Sequence, residues 1–142
     1  MKIERVTIVD DHIVRSFSRL IPQLTGSVKY PSREELEEVI KSENSYLFIA
    51  TIDGEVTGSL TLLFNRLTTG LKGWIEDVVV DEAARGKGVA TALIGHALKI
   101  AEENEVFHVD LTSQPVREAA NRLYLKMGFT RRETNVYRYY FQ

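Results

Sequence analysis

Near the middle of the chain, six consecutive residues carry the clearest chemistry: Arg85-Gly86-Lys87-Gly88-Val89-Ala90. The apolar run Val78-Val79-Val80 precedes them, and an apolar pattern of helical period follows. A helix that starts just after Arg85 leaves its first backbone N–H groups without partners, and its dipole places partial positive charge there. Gly86 and Gly88 have no side chain, so an anion can approach the main chain closely. Arg85 and Lys87 add formal charge. The pattern reads as a cradle for phosphate or pyrophosphate; the plainer reading is a tight turn with a basic edge. Just upstream, Glu76 lies inside WIEDVVV. Strand alternation would put it on one face with Trp74, Val78 and Val80, and Asp77 on the other with Ile75 and Val79. A carboxylate among apolar neighbours is suited to taking a proton from an ammonium group, directly or through water.

A strand and a helix must hold these residues, and the sequence supplies both. WIEDVVVD, residues 74–81, reads as a strand whose valine run is buried on both faces. Residues 86–103 read as a helix with Val89, Leu93, Ala97, Ile100 and Ala101 along one face. VFHVDLT, residues 106–112, is the strand after it, and such a strand–helix–strand unit makes a right-handed parallel crossover. Ahead of this unit, residues 2–9 read as a first strand, and Asp10 or Asp11 caps a helix that runs up to Pro22. LTGSVKYPS is a loop. Ser32 and Glu35 form a capping box for a second helix, whose run of Glu34, Glu35, Glu37 and Glu38 reads as a solvated face. Residues 45–64 hold two strands around Asp53-Gly54, a hairpin signal. NRLTTGLKG, residues 65–73, reads as a loop leading to a further antiparallel strand. Beyond Pro115, REAANRLYLKMGF makes a last helix, with Gly128 in the left-handed position past its end and Phe129 packed back on it. VYRYYF, residues 136–141, reads as a final strand.

Several ligands and partners are excluded early. A P-loop needs G-x-x-x-x-G-K-[ST], which is absent, and the dinucleotide fingerprint needs glycine where Thr91 stands. Kinase metal-binding motifs are absent as well. A net charge of −2 gives no global case for nucleic acid or an anionic membrane. With no cysteine there is no disulfide, thiolate metal site or cysteine nucleophile, which suits a reducing cytosol. The scattered charges of MKIERVTIVDD do not fit a signal peptide. His12, His96 and His108 lack metal-ligand spacing and read as surface or satisfied core residues.

R-G-K-G-V-A resembles the Q/R-x-x-G-x-G/A motif of the GNAT superfamily of acyl-CoA-dependent N-acetyltransferases, and ANRLYLKMGF resembles the closing helix motif of the same family. The order of elements fits over nearly the whole chain. The resemblance implies a single domain over residues 1–142 of α/β (α+β mixed) class. Its sheet is mixed and mostly antiparallel, with a splayed parallel middle pair and about four flanking helices. By the same resemblance, Arg85, Gly86, Lys87, Gly88, Val89 and Ala90 hold the coenzyme A pyrophosphate. Val78, Val79 and Val80 pair with the pantetheine arm where the middle strands part. Asn121 and Tyr124, three apart on one helix face, turn to the coenzyme. Acetyl-CoA is the implied cosubstrate, and no metal is implied.

Moving acetyl from a thioester to an amine needs a neutral amine, a donor for the developing oxyanion and a proton for the leaving thiolate. Glu76 is the expected base, with Asp77 the lesser candidate. Tyr124 is the expected acid, since a phenol of pKa about 10 suits an alkyl thiolate. A backbone N–H near Val78 or Val79 is the expected oxyanion donor. Trp74, Tyr137, Tyr139, Tyr140 and Phe141 read as packing, although the C-terminal aromatic strand offers an alternative use in an acceptor pocket or a homodimer. Arg131-Arg132 reads as a solvated turn. The expected activity is direct acetyl transfer to a primary amine in a ternary complex, on a small-molecule or protein acceptor, in the cytoplasm. The rival is a non-catalytic acyl-CoA-binding sensor or interaction module, which needs the glycine cradle but neither Glu76 nor Tyr124.

Overall fold

The computed structural model describes all residues from Met1 to Gln142. The chain divides into two compact units, Met1–Thr112 and Ser113–Gln142. The first holds strands β1 (Lys2–Arg5), β2 (Ser45–Ile52), β3 (Glu55–Leu67), β4 (Gly70–Val80) and β5 (Val109–Asp110). It also holds helices α1 (Asp11–Thr25), α2 (Arg33–Lys41) and α3 (Val89–Glu103); the second unit holds α4 (Glu118–Lys126). The strands run in the order β1-β2-β3-β4-β5, antiparallel except for the β4–β5 pair. The mixed, mostly antiparallel sheet and the parallel crossover are as the sequence pattern predicts.

The two faces of the sheet follow from cross-strand pairing, because directly paired residues point the same way. On one face, Leu47 and Ile49 of β2 and Val79 of β4 bury with Ile13, Phe17 and Leu20 of α1 and Leu36 of α2. On the other, Phe48 pairs with Leu60 and Leu62 with Ile75, and α3 covers them. The His96 ring of α3 meets the edge of Phe48 at 4.9 Å. Gly58 of β3 lets α3 sit close: a Cβ there would lie 2.7 Å from Val89 Cγ1 and 2.9 Å from the Val79 carbonyl oxygen.

Several boundaries differ from the sequence reading. β1 stops at Arg5, because Val6 and Val9 turn down into the core beneath α1 while Ile8 faces solvent. α1 passes through Pro22 to Thr25 and ends at Gly26, whose φ is 74° and whose N–H reaches Pro22 O at 2.9 Å. Proline removes one donor and crowds one carbonyl, and the last turn of an otherwise well-packed helix accepts that. Residues 65–73 are not a loop. The β3 and β4 strands pair on to Leu67 and Gly70, leaving Thr68 and Thr69 at the tip. A ladder needs backbone partners rather than buried side chains, so this polar ribbon was not legible as strand. α3 begins at Val89 rather than 86, since Gly86 and Gly88 both have positive φ. β5 shrinks to two residues, flanked by Phe107 N to Leu71 O and Gly73 N to His108 O, both 2.9 Å.

In the second unit α4 closes as expected. Phe129 N–H reaches Tyr124 O at 3.0 Å and Gly128 N–H reaches Leu125 O at 3.1 Å, around a Gly128 φ of 102°. The Phe129 and Tyr124 rings meet edge to face at 5.8 Å. This is the Schellman closure with its apolar contact. The final strand expected at 136–141 does not form: no ladder includes these residues, and Tyr137, Tyr139, Tyr140 and Phe141 are exposed. Aromatic, β-prone residues give a segment the capacity for a strand, but only a paired edge makes one.

Candidate active site

The site's framework is the path from β4 through the glycine turn into α3. β4 carries a bulge. Ser59 of β3 pairs with Val79, but Thr61 pairs with Glu76, so one residue between them on β3 faces two, Asp77 and Val78, on β4. Asp77 absorbs the extra length with a φ of 53°, in the left-handed region that aspartate enters more readily than most residues. The bulge overturns the simple alternation. Glu76 still shares a face with Trp74, but it is joined there by Val79 rather than Val78, and Val80 goes with Ile75 and Gly58 to the α3 side.

Glu76 is exposed, and its Oε1 accepts a hydrogen bond from Trp74 Nε1 at 2.5 Å. Asp77 is exposed as a residue, yet the packing around its carboxyl, and then the neighbouring charge of Glu76, push that carboxyl above its ordinary value. The parallel ladder from β4 to β5 ends at Trp74 opposite Asp110. From Ile75 to Val80, β4 is therefore paired on its β3 side alone. Along this stretch Val78 and Val80 are half-buried and Val79 is buried.

After β4 the chain makes a single 3₁₀ turn, Glu82–Ala84, capped by Asp81, whose Oδ1 accepts from Ala83 N at 3.1 Å. α1 braces this turn. Arg19 Nε donates to Asp81 Oδ2 at 2.9 Å, Arg19 Nη2 to Val56 O at 2.6 Å, and Glu82 N to Gln23 Oε1 at 2.9 Å. Burial alone would raise the Asp81 carboxyl. The amide of Ala83, the hydrogen bond and charge of Arg19 and the Gln23 side chain outweigh it and hold the group below its ordinary value.

Gly86 (φ 79°) and Gly88 (φ 78°, ψ 18°) then turn the main chain into α3. Gly88 is the N-cap and offers no side chain to the helix. The first helical bond runs from Ala92 N to Gly88 O at 3.0 Å, so no protein group accepts from the amides of Val89, Ala90 and Thr91. A Cβ at Gly86 or Gly88 would meet nothing within 4 Å. Glycine is required here by backbone angle, and the space above the turn is open. Unsatisfied donors, open space and the exposed Arg85 and Lys87 fit an extended phosphate group.

Glu76, Val78–Val80 and Arg85–Ala90 are thus joined as one continuous strand, turn and helix. Asn121 and Tyr124 are together on α4 in the second unit. Asn121 Nδ2 donates to Gln114 O and to Arg117 O, both at 2.9 Å, so its amide ties the chain entering α4 to the helix. Burial pushes the Tyr124 phenol above its ordinary value, while the positive charge of Arg117 pulls the other way. Sequence reading passed over the Trp74 contact and the Arg19–Asp81 brace. The first had a signal, since residues two apart on a strand share a face. The second joins residues far apart in sequence and had none.

Comparison with known proteins decides the family. The profile of the Acetyltransferase (GNAT) family matches residues 13–129. The chain belongs to that family. Among curated relatives within reach, it is 34% identical over 108 residues to a streptothricin acetyltransferase of Escherichia coli, covering 75% of this chain and 59% of that protein. It is 29% identical over 93 residues to an N-alpha-acetyltransferase MAK3 of Arabidopsis thaliana, covering 66% and 48%. The chain therefore spans roughly half the length of these relatives. In fold, it superimposes with a TM-score of 0.86 on an aminoglycoside acetyltransferase from an uncultured soil metagenomic sample, at 23% identity over 99% of this chain and 95% of that one. A Trypanosoma brucei acetyltransferase gives 0.80 at 25% identity, over 98% and 99%.

Proposed function

We propose that this chain is an acetyl-CoA-dependent N-acetyltransferase that moves acetyl to a primary amine by direct attack in a ternary complex. The observation that carries the reading is the run from a one-sided β4 edge into an open turn with three unclaimed helix amides. That run suits a long ligand with an extended arm and a pyrophosphate end. Arg85, Gly86, Lys87, Gly88, Val89 and Ala90 would hold the pyrophosphate of coenzyme A, and Val78–Val80 would line its pantetheine arm. The bound cosubstrate supplies the activated acetyl thioester. Relatives named for streptothricin, for N-alpha acetylation and for aminoglycosides support an amine acceptor, either a small molecule or a protein.

Glu76 acts as base in this reading. An exposed carboxylate with one oxygen already engaged by Trp74 offers the other to the ammonium proton. Tyr124 acts as acid toward the leaving thiolate; its raised phenol keeps the proton at neutral pH until it is needed. Asn121 acts through the local chain, by fixing the start of α4.

The test is thiol release from acetyl-CoA with a panel of primary amines. Glu76→Gln and Tyr124→Phe lose turnover while keeping acetyl-CoA affinity. Binding of acetyl-CoA with transfer to no amine would favour a non-catalytic sensor instead. One observation favours a second base: Asp77 is the carboxyl that burial raises on this strand. Asp77→Asn separates the two, because it keeps turnover if Glu76 is the base and abolishes it if Asp77 is.

A further inference from the structure

The indole of Trp74 does more than fill space. Its Nε1–H donates to Glu76 Oε1 at 2.5 Å, and the carboxylate acceptor makes this a charge-assisted bond. Both residues stand on the same face of β4, two apart, ahead of the bulge. Trp74 is also the last residue of β4 paired on both sides, to Leu63 and to Asp110, and its side chain is half-buried. The backbone beneath the indole is thus held on both sides, and the residue is half-buried. Glu76 is the next side chain on that face, where the parallel ladder has ended. It is exposed, and no other protein group donates to its carboxylate. An exposed glutamate side chain otherwise samples several rotamers, which an oriented base cannot afford.

We propose that Trp74 is a positioning residue for the Glu76 carboxylate. It holds Oε1 and so presents Oε2 to the acceptor ammonium. The proton leaves the ammonium nitrogen for Oε2, and the freed lone pair forms the new N–C bond at the thioester carbonyl; the C–S bond breaks, the thiolate leaves with the proton of Tyr124, and the nitrogen's second proton passes to solvent. The kinetic part rests on the acetyltransferase reading, but the hydrogen bond does not.

The chain has one tryptophan, so a nitrogen-15 proton correlation spectrum contains a single indole N–H signal. In Glu76→Gln, that signal moves upfield from its wild-type position. In Trp74→Phe, which keeps a ring on the doubly paired position, kcat falls about tenfold, the size expected for one hydrogen bond of about 1.4 kcal/mol. KM for acetyl-CoA and the melting temperature stay near wild type. A purely structural tryptophan would instead lower the melting temperature and leave the indole signal blind to Glu76. An indole signal unmoved by Glu76→Gln overturns the proposal, as does a Trp74→Phe variant with wild-type kcat. A wild type that binds acetyl-CoA and acetylates no amine removes the role while leaving the hydrogen bond; it overturns the acetyltransferase reading first.

Discussion

Gly58→Ala separates local preference from tertiary packing. Gly58 lies in β3 with no positive φ, and alanine is ordinarily the better strand residue. By that reasoning, and by the lower entropy of an unfolded chain bearing alanine, the change should stabilise by about 0.4–1 kcal/mol. The packing predicts the reverse. The new Cβ would stand 2.7 Å from Val89 Cγ1, 2.9 Å from Val79 O and 3.2 Å from Leu93 Cδ1, where carbon contacts prefer roughly 3.5–4.0 Å. Two of these atoms are on α3, and the third is backbone of β4 that cannot rotate away. The first turn of α3 must therefore move off the sheet by most of an ångström. Overpacking of this kind costs about 1–3 kcal/mol, which against that gain leaves a net loss centred on about 1.3 kcal/mol. For a chain of this size the melting temperature drops by roughly 3–5 °C. Because Val89 opens the helix whose free amides face the turn, coenzyme A affinity falls as well. Calorimetric unfolding and titration with coenzyme A measure both. A variant as stable as wild type, with unchanged affinity, would show that α3 is not seated on Gly58 and refute the packing account.

The remaining predictions concern carboxylates near the bulge and the turn. Asp77→Asn keeps a residue that tolerates φ 53° and removes a charge whose ionisation the fold opposes. Because the folded value is raised, the charged form weakens the fold above that value, and the penalty fades as pH falls through it. Asp77→Asn is therefore at least as stable as wild type at pH 7, with no advantage at low pH, in paired urea titrations. Asp77→Val, a β-branched residue forced left-handed, loses about 1–2 kcal/mol in the same assay. Asp81 has the opposite sign: its folded value is lowered, so its contribution is present above the unfolded value of about 3.9 and is lost as pH falls below it. Arg19→Met removes the donors to Asp81 and Val56 and costs about 1–2 kcal/mol at neutral pH. That difference narrows as pH falls from about 3.9 toward the lowered folded value; a loss that stays constant through this window would show that Arg19 acts only through Val56.

What the sequence disclosed about the site is what single residues dictate. The R-G-K-G turn was legible because two left-handed positions ask for glycine whatever surrounds them. The Gly128 closure and the Ser32–Glu35 capping box were legible for the same local reason, and the box is present with Glu35 N to Ser32 Oγ at 3.1 Å. Pairing was not legible. The bulge at Asp77 exists only relative to β3, so counting residues along β4 put Val78 where Val79 stands. The tyrosines of 136–141 carried a strand's composition but pair with no strand. Asn121 shared a helix face with Tyr124 as expected, yet its amide is spent on two carbonyls of its own segment.

The bulge has a consequence for solubility. A strand paired on one side only, rich in valine, is a template on which another polypeptide can add itself, residue by residue, toward fibres. Such growth needs an even spacing of donors and acceptors. The left-handed Asp77 breaks that spacing within the six residues left open, and its carboxylate with that of Glu76 puts two adjacent negative charges there. A foreign strand finds no continuous register along β4. The feature that bends β4 thus also guards it against self-assembly.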